Sequence, residues 1–127
     1  MSVTFKPQKK RNPSNAAAPS KFYAQAIGDG QIDLDGLAEM ISYQCTVTES
    51  DCYAVLISLE KNIINELQQG RIVKIGRLGN FQIGISSEGK NSPEEVTAND
   101  ITKTRVLFRP GKRMRRILSD LSFRKVG

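Results

Sequence analysis

The sequence predicts an α+β fold, on three observations. Two stretches with apolar residues at three- and four-residue spacing come first. Segments with apolar residues at alternate positions follow, punctuated by glycines. A helical stretch closes the order, cationic on one side and apolar on the other. The 127 residues suit one domain, and a hydrophobic fraction of 39% allows a small core that a partner subunit would extend.

Residues 1–21 carry Pro7, Pro13 and Pro19 among Lys, Asn and Ala. Proline fixes φ and removes a backbone donor, so this part reads as a basic extended segment or flexible arm. Residues 22–127 form the predicted domain. Phe22 to Ile27 is β-prone and ends at Gly28-Asp29-Gly30, which predicts a strand added at a sheet edge. Asp33 is a good N-cap for a first helix, whose stripe is Leu34, Leu37, Ala38, Ile41 and Cys45. Thr48 caps a second helix with Asp51 at its third position. The stripe of that helix (Cys52, Leu56, Leu59, Ile63 and Leu67) runs to Gly70. Its width predicts burial against more than one neighbour.

The period then changes to two. Arg71–Ile75 and Phe81–Ile85 read as strands around a tight Gly76–Asn80 connection, and Thr102–Phe108 as a third. Ser92-Pro93-Glu94-Glu95 has the order of a short helix start. Pro110-Gly111 breaks the third strand, and Lys112–Leu121 reads as a final helix. Met114, Ile117, Leu118 and Leu121 form its docking face, opposite Lys112, Arg113, Arg115 and Arg116.

Composition narrows the function. Without a single His, the commonest general acid–base is missing, and no glycine-rich phosphate loop or outstanding carboxylate pair takes its place. No catalytic residue, cofactor or small-molecule substrate is expected. Cys45 and Cys52 fit no metal pattern and read as packed, reduced thiols, so no metal is expected either. No apolar run approaches the length of a membrane span, and the basic start lacks the apolar segment of a secretory signal. A cytoplasmic location is therefore expected.

Charge is segregated. Residues 1–21 hold Lys6, Lys9, Lys10, Arg11 and Lys21 without an acid, and residues 22–102 hold five basic against twelve acidic side chains. Residues 103–127 hold Lys103, Arg105, Arg109, Lys112, Arg113, Arg115, Arg116, Arg124 and Lys125 against Asp120 alone. Such separation is an electrostatic footprint for a polyanion.

Helix, turn, long helix, Gly70, strand, Gly76-Arg77-Leu78-Gly79-Asn80-Phe81, a connecting arm and Phe108-Arg109-Pro110-Gly111-Lys112 then follow in order. From about Asp33 to Leu121 this arrangement resembles the bacterial HU and integration host factor family. The extra N-terminal segment is similar to a divergent HU-like branch in Bacteroidetes. The resemblance implies a helical hairpin below a three-stranded antiparallel sheet with an arm, a C-terminal helix and an intertwined homodimer. It also implies a nucleoid-associated partner of double-stranded DNA, with largely sequence-independent phosphate contacts and modest bending.

Lys103, Arg105, Arg109, Lys112, Arg113, Arg115 and Arg116 are the expected contacts, with Lys90 near the arm tip. The arm departs from the family, since Glu88, Glu94, Glu95 and Asp100 outnumber Lys90. Pro93 accordingly reads as a helix-start residue before a wedge. Lys9-Lys10-Arg11 is a weaker candidate, a disordered basic tail that adds non-specific attraction. Phe81 and Phe108 read as core, and with 6% aromatics no stacking platform for single strands is expected. The alternative is an HU-fold assembly module with weak or lost DNA binding, using the acidic arm and the added strand.

Overall fold

A computed structural model describes residues 2–10, 14 and 17–126; Arg11 and Pro13 of the expected basic arm lie outside them. The architecture is mixed α and β, in two compact units. One is Leu34–Arg116, and the other joins Met1–Asp33 to Ile117–Gly127.

In the first unit, α1 (Leu34–Gln44) and α2 (Glu49–Gln68) make the expected helical hairpin. The Thr48 hydroxyl accepts from the Asp51 N–H at 3.2 Å, so the helix start is built as its sequence indicates. Ala38, Cys52 and Leu67 are the buried apolar residues among those described. Cys45 departs from the expected packed thiol. It follows the last residue of α1, in the bend before Thr48, and is exposed.

Strands β3 (Val73–Ile75), β4 (Gly79–Ser87) and β5 (Ile101–Pro110) form an antiparallel sheet in that order. Alternation gives the sheet two chemically different faces. Val73, Phe81, Ile83, Val106 and Phe108 share one face, where the Phe81 and Phe108 rings lie 4.9 Å apart. That face and the α2 stripe line an open apolar groove of about 400 Å³, with Leu56, Leu59, Ile63 and Phe108 among its walls.

The expected arm is short. Pairing of β4 with β5 ends in a bulge at Ser87 and Ile101, and residues 88–100 fold into single 3-10 turns at Pro93–Glu95 and Ala98–Asp100. Pro93 opens the first turn, the role expected of it. The Asp100 carboxylate accepts from the Thr97 N–H at 2.9 Å, closing the second.

Two turns meet where β5 ends. The Gly111 N–H donates to the Leu78 carbonyl at 2.8 Å, tying the Pro110-Gly111 turn to the β3–β4 connection. The approach leaves no room for side chains. A Cβ on Gly111 would lie 2.6 Å from the Arg77 carbonyl oxygen, and one on Gly79 would collide with that of Arg109. Gly79 also has φ +147, which L side chains rarely adopt. Helix α3 (Lys112–Arg116) starts from this junction, its Arg115 N–H bonded to the Gly111 carbonyl at 2.9 Å.

The expected final helix over Lys112–Leu121 is corrected here. It yields after Arg116 to a 3-10 turn (Ile117–Ser119), and Phe123–Lys125 becomes strand β6. Of the expected docking face, Met114 is half-buried and lines the apolar groove beside Phe108, whereas Ile117 and Leu118 remain largely exposed. The chain is extended by Ser122, whose carbonyl accepts the Val3 N–H at 2.8 Å, and β6 then runs parallel to β1 (Val3–Lys10), with Phe123 opposite Val3.

The second unit is therefore a sheet in the order β2-β1-β6, with β2 at Lys21–Ile27 antiparallel to β1. Lys9 and Lys10 stand in a strand rather than the expected disordered tail. Pro7 is tolerated because β6 pairs only with Val3–Phe5, leaving no third strand beside it.

Two stability measurements check this account. Replacing Gly111 by Ala should lower stability by about 1–3 kcal/mol, as overpacking does, whereas Gly89→Ala, in open space, should shift it by less than about 0.5 kcal/mol. Equal unfolding midpoints for the two variants would contradict the turn-to-turn contact. Removing the cap with Thr48→Ala should cost about 1 kcal/mol in chemical denaturation.

Candidate nucleic-acid interface

The second face of the β3–β4–β5 sheet is polar and cationic. Register places Arg109 opposite Asn80, Arg105 opposite Gly84, and Lys103 opposite Ser86, with Lys74 opposite Asn80 from the other side. Gln82 and Leu107 complete the paired rows, which contain no acid. The surface is flat at Gly84. A Cβ there would meet the Leu107 Cδ1 at 2.9 Å and the Arg105 Nε at 3.2 Å, so both side chains lie across the glycine. The Arg105 guanidinium donates to the Ser86 hydroxyl at 2.9 Å, which orients its charge along the strand pair.

A second group surrounds the turn junction. Arg77 from the β3–β4 connection faces Lys112, Arg113 and Arg116 of α3 across an open depression of about 610 Å³, floored by Gly76 and Gly111. Its lining includes no acid, and these four cations are exposed. The distance between the two turns is set by backbone, since Gly111 rests on Arg77 itself.

The structure thus sorts the expected residues. Lys103, Arg105 and Arg109 share the sheet face, and Lys112, Arg113 and Arg116 share the depression. Arg115 is exposed on α3 outside the depression lining. Lys90 joins neither group. Its ammonium sits 3.4 Å from Asp100 and 3.9 Å from Glu88 within the folded arm tip. Two cations escaped the sequence reading. Arg77 stood in the glycine motif as a turn residue, and Lys74 between two apolar strand positions. Each becomes part of a cluster only through pairing with distant residues. The motif pair Gly-x-x-Gly and Pro-Gly-Lys was the available signal for Arg77.

No helix among the described residues is long and apolar enough to cross a membrane. No grouping of three or more potential metal ligands occurs among them.

Residues 1–125 match the family described as HU domain fused to wHTH, Ig, or glycine-rich motif, HU-HIG. Among solved structures, a Bacteroides vulgatus protein provisionally described as a bacterial DNA-binding protein superposes with a TM-score of 0.63 at 16% identity. The match covers 98% of this chain and 49% of that one, so this chain spans about half its length. HU from Anabaena, crystallised with DNA, superposes with a TM-score of 0.55 at 19% identity, over 69% of this chain and 98% of that one. At these identities both likenesses bear on fold. No curated protein matches. The helical hairpin, the three-stranded sheet and the family match across nearly the whole sequence agree: the chain belongs to the HU-HIG family, a divergent, non-enzymatic branch of the HU-like proteins.

Proposed function

We propose that this chain binds double-stranded DNA through the phosphate backbone, as a nucleoid-associated homodimer with little base readout. The observation that carries the reading is the acid-free cationic surface made by Lys74, Lys103, Arg105 and Arg109 on the sheet and by Arg77, Lys112, Arg113 and Arg116 at the turn junction. Cations on a rigid sheet and a short helix suit phosphate contact, which fixes position on a duplex without reading bases. The relatives support the same direction, one being an HU crystallised with DNA.

The open core supports dimerisation. Val55, Ile64, Val106 and Phe108 are all more than 40% exposed in the single chain. The apolar groove between α2 and the sheet lies uncovered. Large exposed apolar surfaces mark interfaces, and a second copy offering the same groove closes both. In an intertwined pair the two sheets would lie side by side as a saddle.

The arm limits how the duplex is held. Its tip carries Glu88, Glu94, Glu95 and Asp100, and its one ammonium, Lys90, is already paired with two of them. Phosphates repel such a tip, so the grip comes from the sheet face and the junction. Modest bending and salt-sensitive binding follow.

Duplex retention in a gel should fall steeply with salt. About six phosphate contacts per dimer imply a slope of log K against log salt of roughly −5. Arg113→Glu together with Arg116→Glu should abolish retention while a sizing column still returns two chains per particle. Retention unchanged by the double reversal would overturn the junction's part in binding, and a slope near zero would overturn phosphate-mediated DNA binding itself. In that case an assembly module using the acidic arm tip explains the fold better. A one-chain particle for the parent protein would overturn the dimer.

A further inference from the structure

Strands β1, β2 and β6 contain six cations and no Asp or Glu. Their registers sort these charges between the two faces of the sheet. Val3, Phe5, Pro7, Phe22, Ala24, Ala26 and Phe123 fall on one face, joined only at its margins by Lys9 and Lys125. Val3, Phe5, Ala24, Ala26 and Phe123 line an apolar depression there. The opposite face receives Thr4, Lys6, Gln8 and Lys10 from β1, Lys21, Tyr23, Gln25 and Ile27 from β2, and Arg124 from β6.

That second face has the make-up of a phosphate-binding surface. Lys6, Lys10, Lys21 and Arg124 are all exposed. Lys10 and Lys21 stand directly opposite each other and concentrate charge at one end. The Lys10 ammonium lies 5.9 Å from the centre of the Tyr23 ring, a weak contact that orients it without neutralising it. At the other end Thr4, opposite Arg124, is buried and its hydroxyl donates to the Ile27 carbonyl at 2.9 Å, which pins the strands in register. Same-face positions along a strand repeat at about 7 Å, a spacing that lets several side chains meet successive phosphates of one backbone.

We propose that this face is a second binding surface for the phosphate backbone of duplex DNA, formed by Lys6, Lys10, Lys21 and Arg124. The proposal rests on the reading of the chain as a DNA-binding protein. Given that reading, an ordered, acid-free cationic face is complementary to the same polyanion that the first unit takes. Each phosphate it neutralises adds about 0.9 to the magnitude of the salt slope.

The test uses the full chain and two neutralised variants. The sheet variant is Lys6→Gln, Lys10→Gln and Lys21→Gln, and the junction variant is Arg77→Gln, Lys112→Gln, Arg113→Gln and Arg116→Gln. Circular dichroism and melting matched to the parent confirm that each is folded. Substitution at Lys6 alone and at Lys21 alone supplies folded replacements if the triple variant melts early. Affinity for a duplex is measured over a salt series. The sheet variant should flatten the slope by roughly two to three and weaken binding at least tenfold at low salt. An unchanged slope in the sheet variant, beside lost binding in the junction variant, overturns this proposal and leaves the first surface standing. The reverse pattern overturns the first surface and supports this one. Vesicles of phosphatidylserine and phosphatidylcholine form the last arm: if the sheet variant loses vesicle binding while its DNA affinity holds, the face serves an anionic membrane and the proposal fails.

Discussion

The backbone bond from Gly111 to Leu78 is the constraint on which the first unit depends. Two glycine turns, far apart in the chain, approach until neither tolerates a Cβ. That contact fixes where β5 stops, where α3 begins, and which way its cations point. It also carries Arg77 across to the same depression. A side chain at either glycine would separate the turns, and the cationic surface would come apart with them. The charge cluster is thus held by backbone packing rather than by its own side chains, whose mutual repulsion works against it.

Segregation of charge and segregation of apolar surface are two sides of one device. In both sheets, alternation gathers apolar residues on one face and most of the cations on the other. The apolar face needs cover, which in the first unit the proposed second copy would supply. The acids collect instead on the helices and at the arm tip. There Glu88 and Asp100 hold Lys90, so a cation that sequence proximity placed with the DNA contacts is spent locally.

Much of this was legible in the sequence where local rules dominate. The Thr48 cap, the long stripe of α2, the change to period two after Gly70 and the helix-start role of Pro93 all follow from short-range chemistry. What escaped depended on pairing over long distances. β1 was obscured by Pro7, which is tolerable only because its third neighbour is too short to reach it. β6 is three residues long, and no alternation can be read in so few. The wheel for Lys112–Leu121 likewise carries no information on the 3-10 turn that takes over at Ile117, ahead of the extended stretch that feeds β6. Arg77 and Lys74 are isolated charges in the sequence and become neighbours of others only in the register of the folded sheet.

The three-stranded sheet that joins the two ends of the chain has a consequence for the order of events during synthesis. β1 and β2 are close in sequence and can pair as soon as both have left the ribosome. β6 belongs to the same sheet but is separated from them by the whole of the Leu34–Arg116 unit. Local pairs form quickly, while long-range ones must wait for loop closure. A nascent chain therefore carries the β1–β2 hairpin, with Phe5 and Phe22 on one face and no Phe123 beside them, through the whole time that the intervening unit is made. The hairpin gains its third strand only after residues 34–116 have been made, which places closure of this sheet later than synthesis of the unit between its strands.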